Sequence, residues 1–421
     1  MKKITLIATL CAAACALPAQ QYFVGNCDKD ALSYKCGEPM NFQIGLFEDG
    51  KPVVGQKLAW EINTDDGTSA KGEAVSAQQP LKLSTKCNRP GFARVKVFAV
   101  DKDGKKIKSQ MAKNRPLSFQ GGAGADVCKI ATSGPEPKDF DAFWQKHLDE
   151  LAKVPMNCKV KPLPKFSKDG KFNVSELTID CVGKPAKAFL SVPVNAKEKS
   201  LPIHVTLIGY GVGRIAPKPR ADAISLIVLR HSYETLQNDD YYKKMRDGEM
   251  KAFGLKAKEN QNPDNCYFKN MILRDLRALD YVKKNVKEWN GRDITVQGGS
   301  MGGFQSIFMA ALDKDITLCL PHVPWMTDLW ASDCNTTRQR CEFKPEWTPA
   351  IRYFDSTFAI KRVKCPVKIT AWLGDYVCPP AGVMALYNNA NKNTSIDFGQ
   401  NGVHGGCMSK PETSKHFTLS K

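Results

Sequence analysis

The chain has no Cys-x-x-Cys pair and no His-Glu-x-x-His stretch, so the common zinc-site spacings are missing. We therefore expect neither a metal nor another cofactor. Beyond its first residues it has no apolar run long enough to span a bilayer. It has no internal repeat and no low-complexity tract. Its net charge of +18 is spread over many single lysines and forms no basic block. With no nucleic-acid-binding motif beside it, that charge reads as a solvated surface, and nucleic acid is excluded as a partner.

What is present begins with a leader. Met1-Lys2-Lys3 precedes the apolar run Ile4 to Leu17, followed by Pro18-Ala19-Gln20. A basic start, a short apolar stretch and small residues read as a cleaved signal peptide over residues 1–19. Cleavage after Ala16 or after Ala19 fits equally, and Cys15 also admits a lipoprotein reading, although its preceding alanines make a poor lipobox. A secreted or periplasmic protein is expected. Of 15 cysteines, Cys11 and Cys15 fall in the leader and 13 remain. So many in an exported chain point to disulfides, and the odd number leaves one thiol over, for which Cys319 in "ITLCLPHVP" is the choice.

The texture changes once along the chain. Residues 20–117 are short and alternating, with Asp49-Gly50, Asp66-Gly67 and Asp103-Gly104 as hairpin signals, which predicts a small all-β sandwich. Residues 118–139 are rich in Gly, Pro and Ser and read as a connector that opens a second domain over 118–421. There "DFDAFWQKHLDELAKV" predicts an amphipathic helix with Phe140, Phe143, Trp144, Leu148 and Leu151 on one face. Strand-like and helical runs then alternate, which implies an α/β fold with a mostly parallel sheet covered on both faces.

Chemistry is concentrated at "ITVQGGSMGGFQSIFMAALD", residues 294–313. Gly298-Gly299-Ser300-Met301-Gly302-Gly303 lies between a β-branched run and a helical one. That is the setting of a nucleophile elbow, where only small neighbours let strand and helix approach a strained serine. A serine nucleophile needs a base, and the base needs a carboxylate. Of six histidines only His322, His404 and His416 follow Ser300. His404, in the glycine-rich "GQNGVHGGCMS" after the last expected strand of the alternating pattern, is the best placed. Asp375, at the end of "VKITAWLGD" and before Pro379-Pro380, is the preferred acid, with Asp397 as its rival.

Backbone N–H groups of Met301 and of Tyr210, in the Gly-Tyr-Gly turn after "VTLI", are the expected oxyanion donors. Trp325 and Trp330 in "HVPWMTDLW", together with Tyr210, are the expected substrate-binding aromatics. Cys378 and Cys407 each stand three residues beyond Asp375 and His404, and we expect them to bridge the two loops.

At this point a resemblance appears. "PEPKDFDAFW", the "GYG" turn, "LRDLRALDYVKKNVKEWNGRDITVQGGSMGG", "LGDYVCPPAGVMALYNN" and "VHGG" resemble the acetyl xylan esterase/cephalosporin C deacetylase group, carbohydrate esterase family 7. The likeness runs from about Phe119 to His416. It implies an α/β-hydrolase that deacetylates acetylated mono- or oligosaccharides and is commonly assembled as a homo-oligomer. Three positions beside the expected pocket depart from the family pattern: Met301 for Gln, Ile208 for His and Gly405 for Glu. Two other classes compete. A prolyl-oligopeptidase-like peptidase needs a propeller or equivalent cap, and about one hundred N-terminal residues are too few for one. A non-catalytic carbohydrate-binding protein would not need three ordered catalytic residues.

Overall fold

The computed structural model describes residues 20–111, 115–332 and 341–421. The expected leader and Cys334 lie outside them. Residues Gln21–Cys27, Met40–Glu48, Lys51–Pro52 and Leu81–Thr85 form one four-stranded sheet. Residues Lys57–Thr64, Ser69–Val75, Gly91–Ala99 and Ser118–Ala125 form another. Along Met40–Glu48, Met40, Phe42, Ile44 and Leu46 are buried and the residues between them face outward. This two-residue period gives each sheet one inner face. Phe119 of the second sheet lies against Gly25 of the first, where a Cβ would come within 2.6 Å of its ring.

One boundary differs from expectation. Residues 118–125 are not a connector but the edge strand of the second sheet, paired with Gly91–Ala99. Its glycines are imposed by neighbours. A Cβ at Gly121 would lie 2.0 Å from Gln400 Oε1, and one at Gly122 would lie 2.3 Å from the Ala93 carbonyl.

The rest is built on a ten-stranded sheet. Its centre runs Thr394–Gly399, Val367–Trp372, Leu318–His322, Trp289–Gly299, Leu201–Leu207 and Ile224–Leu229, each parallel to the next. Antiparallel strands finish both edges, with His416–Ser420 on one side and Ala186–Pro193, Phe172–Ile179 and Cys158–Pro162 on the other. All six residues of Ile224–Leu229 are buried, as a strand covered on both faces requires. Among the helices are Phe140–Lys153, Tyr267–Asn285, Met301–Leu312 and Pro380–Asn389. The first buries Phe140, Phe143, Trp144 and Leu151, with His147 among them, its ring nitrogens 2.7 Å from Glu150 and 2.8 Å from Asp264. Among the described residues, no helix is long and apolar enough to cross a membrane.

Candidate active site

The Trp289–Gly299 strand runs into the Met301–Leu312 helix with only Ser300 between them. Ser300 has φ 58° and ψ −120°, a backbone conformation that costs a non-glycine residue free energy and must be held by its surroundings. The flanking glycines permit it. A Cβ at Gly298 would lie 2.5 Å from the Gly302 carbonyl carbon, and one at Gly302 would lie 2.4 Å from the Leu207 carbonyl oxygen. Ser300 N–H donates to the His322 carbonyl at 2.9 Å, and Trp325 N–H donates to the Ser300 carbonyl at 3.1 Å. The serine thus stands at the C-terminal edge of the sheet, pinned from both sides.

His404 reaches it from a small hairpin, Gly402–Val403 paired with Gly406–Cys407, whose two turn residues are His404 and Gly405. His404 Nε2 is 2.9 Å from Ser300 Oγ, and Nδ1 is 2.9 Å from Asp375 Oδ2. Asp375 is 1% exposed. Its other oxygen accepts from the N–H groups of Val377 and Cys378 at 2.9 and 3.0 Å, which fixes the plane of the carboxylate. Gly374 N–H donates to the Gly402 carbonyl at 3.0 Å, so the acid turn and the histidine hairpin are joined through the backbone. Asp397, the rival acid, pairs instead with His416 on the edge of the sheet. His322, set aside as a base, still borders the site. Its ring approaches Gly299, and its Nδ1 is 2.7 Å from Thr370 Oγ1.

The Gly-Tyr-Gly turn abuts Ser300, since a Cβ at Gly209 would lie 3.3 Å from the Gly299 carbonyl and 3.9 Å from Ser300 Cβ. Met301 is the first residue of its helix, so its N–H has no partner within that helix. The Tyr210 ring stacks on Phe253 at 4.1 Å and 9°, and its hydroxyl donates to the Phe253 carbonyl at 2.9 Å. Burial pushes the Tyr210 phenol up, so it stays neutral. Arg230 Nε and His231 Nε2 both meet the Gly211 carbonyl. Beyond this turn lies a cleft of about 270 Å³ lined by His231, Tyr233, Tyr241, Tyr267 and Arg274 among others.

The two tryptophans are placed differently from one another, and neither as an open platform. Trp325 is 1% exposed, packs on Phe343, Tyr210 and Phe268, and donates its indole N–H to the Phe343 carbonyl at 2.6 Å. It forms the wall behind Tyr210. Trp330, half-buried, packs edge-on against Trp347 and covers Gly134.

The expected bridge between the catalytic loops is not there. No disulfide forms among the described cysteines, and both Cys378 and Cys407 are free thiols. The physical reason is direction. Cys378 is buried toward Asp375 and Cys341, whereas Cys407 sits half-exposed on the histidine hairpin. Cys378 Sγ lies within 4.8 Å of ligand atoms of Asp375 and His404. Burial, with Asp375 beside it, pushes that thiol well up, which leaves it neutral and a poor metal ligand. Cys319 is a fully buried free thiol, but since no disulfide forms among the described cysteines it is not singled out as the one left over.

A strained serine after a central parallel strand, with an acid and a histidine delivered from the ends of the last two parallel strands, places the chain in the α/β-hydrolase fold as an ester hydrolase. Its family is more specific. Residues 126–332 and 333–418 match the acetyl xylan esterase (AXE1) family, and the chain belongs to it. The acetyl esterase Axe7A of Xylanibacter ruminicola is 26% identical over 372 residues, covering 84% of this chain and 80% of that protein. The acetyl xylan esterase of Paenibacillus sp. R4 superposes with a TM-score of 0.55 at 21% identity, over 66% of this chain and 93% of the other. Acetyl xylan esterase 1 of Thermoanaerobacterium sp. JW/SL YS485 gives 0.52 at 20%, over 66% and 92%. The family match begins at residue 126, directly after the last sandwich strand.

Proposed function

We propose that the protein is an exported serine esterase that removes acetyl groups from acetylated sugars or oligosaccharides through an acyl-enzyme. The observation that carries this reading is one histidine ring with Ser300 Oγ on one nitrogen and Asp375 on the other, both at 2.9 Å. In the working tautomer, Nδ1–H donates to Asp375 and Nε2 accepts from the Ser300 hydroxyl. His404 takes the proton as Ser300 Oγ attacks the acetyl carbonyl. Asp375 holds the ring and stabilises the imidazolium. The N–H groups of Met301 and Tyr210 receive the oxyanion, each worth about 3–4 kcal/mol to the transition state. As the intermediate collapses and the carbon–oxygen bond to the sugar breaks, the imidazolium protonates the departing sugar oxygen, which leaves as a hydroxyl. Water, deprotonated by the same ring, releases acetate.

The aromatic cluster of Tyr210, Phe253, Trp325 and Phe343 packs around the Gly-Tyr-Gly turn beside Ser300, and we assign it the wall that keeps the acyl side short and favours acetyl over long chains. The leader over residues 1–19 would carry the enzyme out of the cytoplasm. Residues 20–125 are an accessory unit and 126–421 the catalytic one.

The test compares an aryl acetate, an aryl octanoate, acetylated xylo-oligosaccharide and a prolyl-peptide substrate on purified protein. Acetyl esters are expected to be cleaved best. Preference for the octanoate would point to a lipase, and cleavage of the peptide to a peptidase.

A further inference from the structure

The histidine hairpin is only a few residues long and glycine-rich, so something outside it must hold His404 to its position. Besides the Gly374–Gly402 bond, several contacts at its base come from the N-terminal sandwich. Asn401, with φ 51° and 2% exposed, stands where the hairpin begins. Its Nδ2 donates to the Phe23 carbonyl at 3.0 Å, and its Oδ1 accepts from Gln120 N–H at 3.2 Å, so one side chain spans a strand from each sandwich sheet. Its carbonyl accepts from Met408 N–H at 2.9 Å and closes the hairpin.

Gln400, fully buried, completes a two-way bond with one residue of the edge strand. Gly122 N–H donates to Oε1 at 2.8 Å, and Nε2 donates to the Gly122 carbonyl at 2.9 Å. The glycine at 121 is what lets this side chain lie flat on the strand. The acid turn is held from the same side. A Cβ at Gly374 would lie 2.5 Å from the Gln120 carbonyl. Arg94 of the sandwich stacks over Tyr376, next to Asp375, at 4.0 Å from the ring centroid, and pairs with Glu342 at 2.6 Å. Arg115, from the segment that leads into the edge strand, fills the space a side chain at Gly405 would need.

We propose that the sandwich is a working part of the catalytic centre. Gln400 and Asn401 are positioning residues through which its strands set His404, and Arg94 does the same for the Asp375 turn. The inference rests on the reading of His404 and Asp375 as the catalytic base and acid. It explains the glycine at 121, and it gives the accessory unit a function other than binding.

The test measures kcat and KM on an aryl acetate, per folded molecule by circular dichroism, together with melting temperature. Gln400→Ala and Asn401→Ala are set beside Ile62→Ala, which opens a cavity elsewhere in the sandwich core. Arg94→Lys, which keeps the charge facing Glu342 but loses the flat stacking face, is the milder probe if either of the first two fails to fold. The proposal expects kcat to fall about ten- to a hundredfold in the hairpin variants with KM little changed, because misplacing a base costs the chemical step. It expects Ile62→Ala to lower only the melting temperature. If the hairpin variants and Arg94→Lys melt earlier but keep kcat within about twofold of the parent, the sandwich is only a structural support and the proposal is overturned. His404→Ala, assayed alongside, separates this from a failure of the underlying reading: an active His404→Ala protein would mean that the base itself is misassigned.

Discussion

Asp397 Oδ2 lies 2.6 Å from His416 Nδ1 on the edge of the large sheet, and Asp397 Oδ1 accepts from the Thr418 hydroxyl at 2.9 Å. The rival acid therefore has its own histidine partner, in a pair that does not meet Ser300. Asp397→Asn should leave kcat unchanged, whereas Asp375→Asn should lower it by about 10³- to 10⁴-fold, since the ring loses the partner that fixes its tautomer. Steady-state kinetics of the two variants on an aryl acetate checks this. Equal losses would mean that the acid has been placed wrongly.

Gly302 is as strictly required as the serine, though it does no chemistry. Its missing Cβ faces a backbone oxygen, that of Leu207, at 2.4 Å, and neither strand nor helix can give way cheaply. Gly302→Ala should destabilise by about 1–3 kcal/mol through overpacking. Urea unfolding followed by tryptophan fluorescence would show it, and a variant as stable as the parent would refute the close strand–helix crossing.

Trp325 makes the opposite point. With its ring buried and its indole N–H bonded, Trp325→Ala should cost about 3–5 kcal/mol of stability. A residue that only stacked on substrate would leave the melting temperature alone and raise KM. Differential scanning calorimetry and KM for an acetylated sugar, measured together, decide between the two roles.

The stability of the Gly-Tyr-Gly turn beside Ser300 should depend on pH. Burial, and then Arg230 beside it, hold the His231 imidazole down to about 3. In the unfolded chain the same group takes up its proton near its ordinary value, so between pH 6.5 and 3 the unfolded state binds more protons. Stability contributed by the neutral ring is fully present above that window and is lost as pH falls, by at most about 1.4 kcal/mol per pH unit. His231→Gln, which can still donate to the Gly211 carbonyl but does not titrate, should flatten the slope. Urea titrations at several pH values from 7 to 4 measure it, and parallel slopes would exclude His231 as the cause.

Much of the site was legible because its logic is local or ordered along the chain. The elbow is written in adjacent residues, from the β-branched Ile294-Thr295-Val296 through the glycines to the Phe304–Leu312 helix run. The histidine and acid were reached by order and by their places at strand ends. What the sequence hid depends on contacts across the fold. The glycines of 118–125 look like a linker until Gln400, Ala93 and Phe92 are seen packed against them. Trp325 and Trp330 sit in a stretch whose pattern does not say which face is open, and the structure buries the first completely. Equal spacing suggested that Cys378 and Cys407 leave their loops together, but spacing carries no direction, and the two thiols are turned to different surroundings.

The central claim is that Ser300 itself carries the acetyl group between sugar and water. Rapid acid quench of the enzyme with a p-nitrophenyl acetate pulse, followed by peptide mass spectrometry, reads this directly. The account predicts one acetyl group on the peptide that contains Ser300, absent in Ser300→Ala along with the hydrolysis. Acetyl on another residue, or turnover retained by Ser300→Ala, would contradict it.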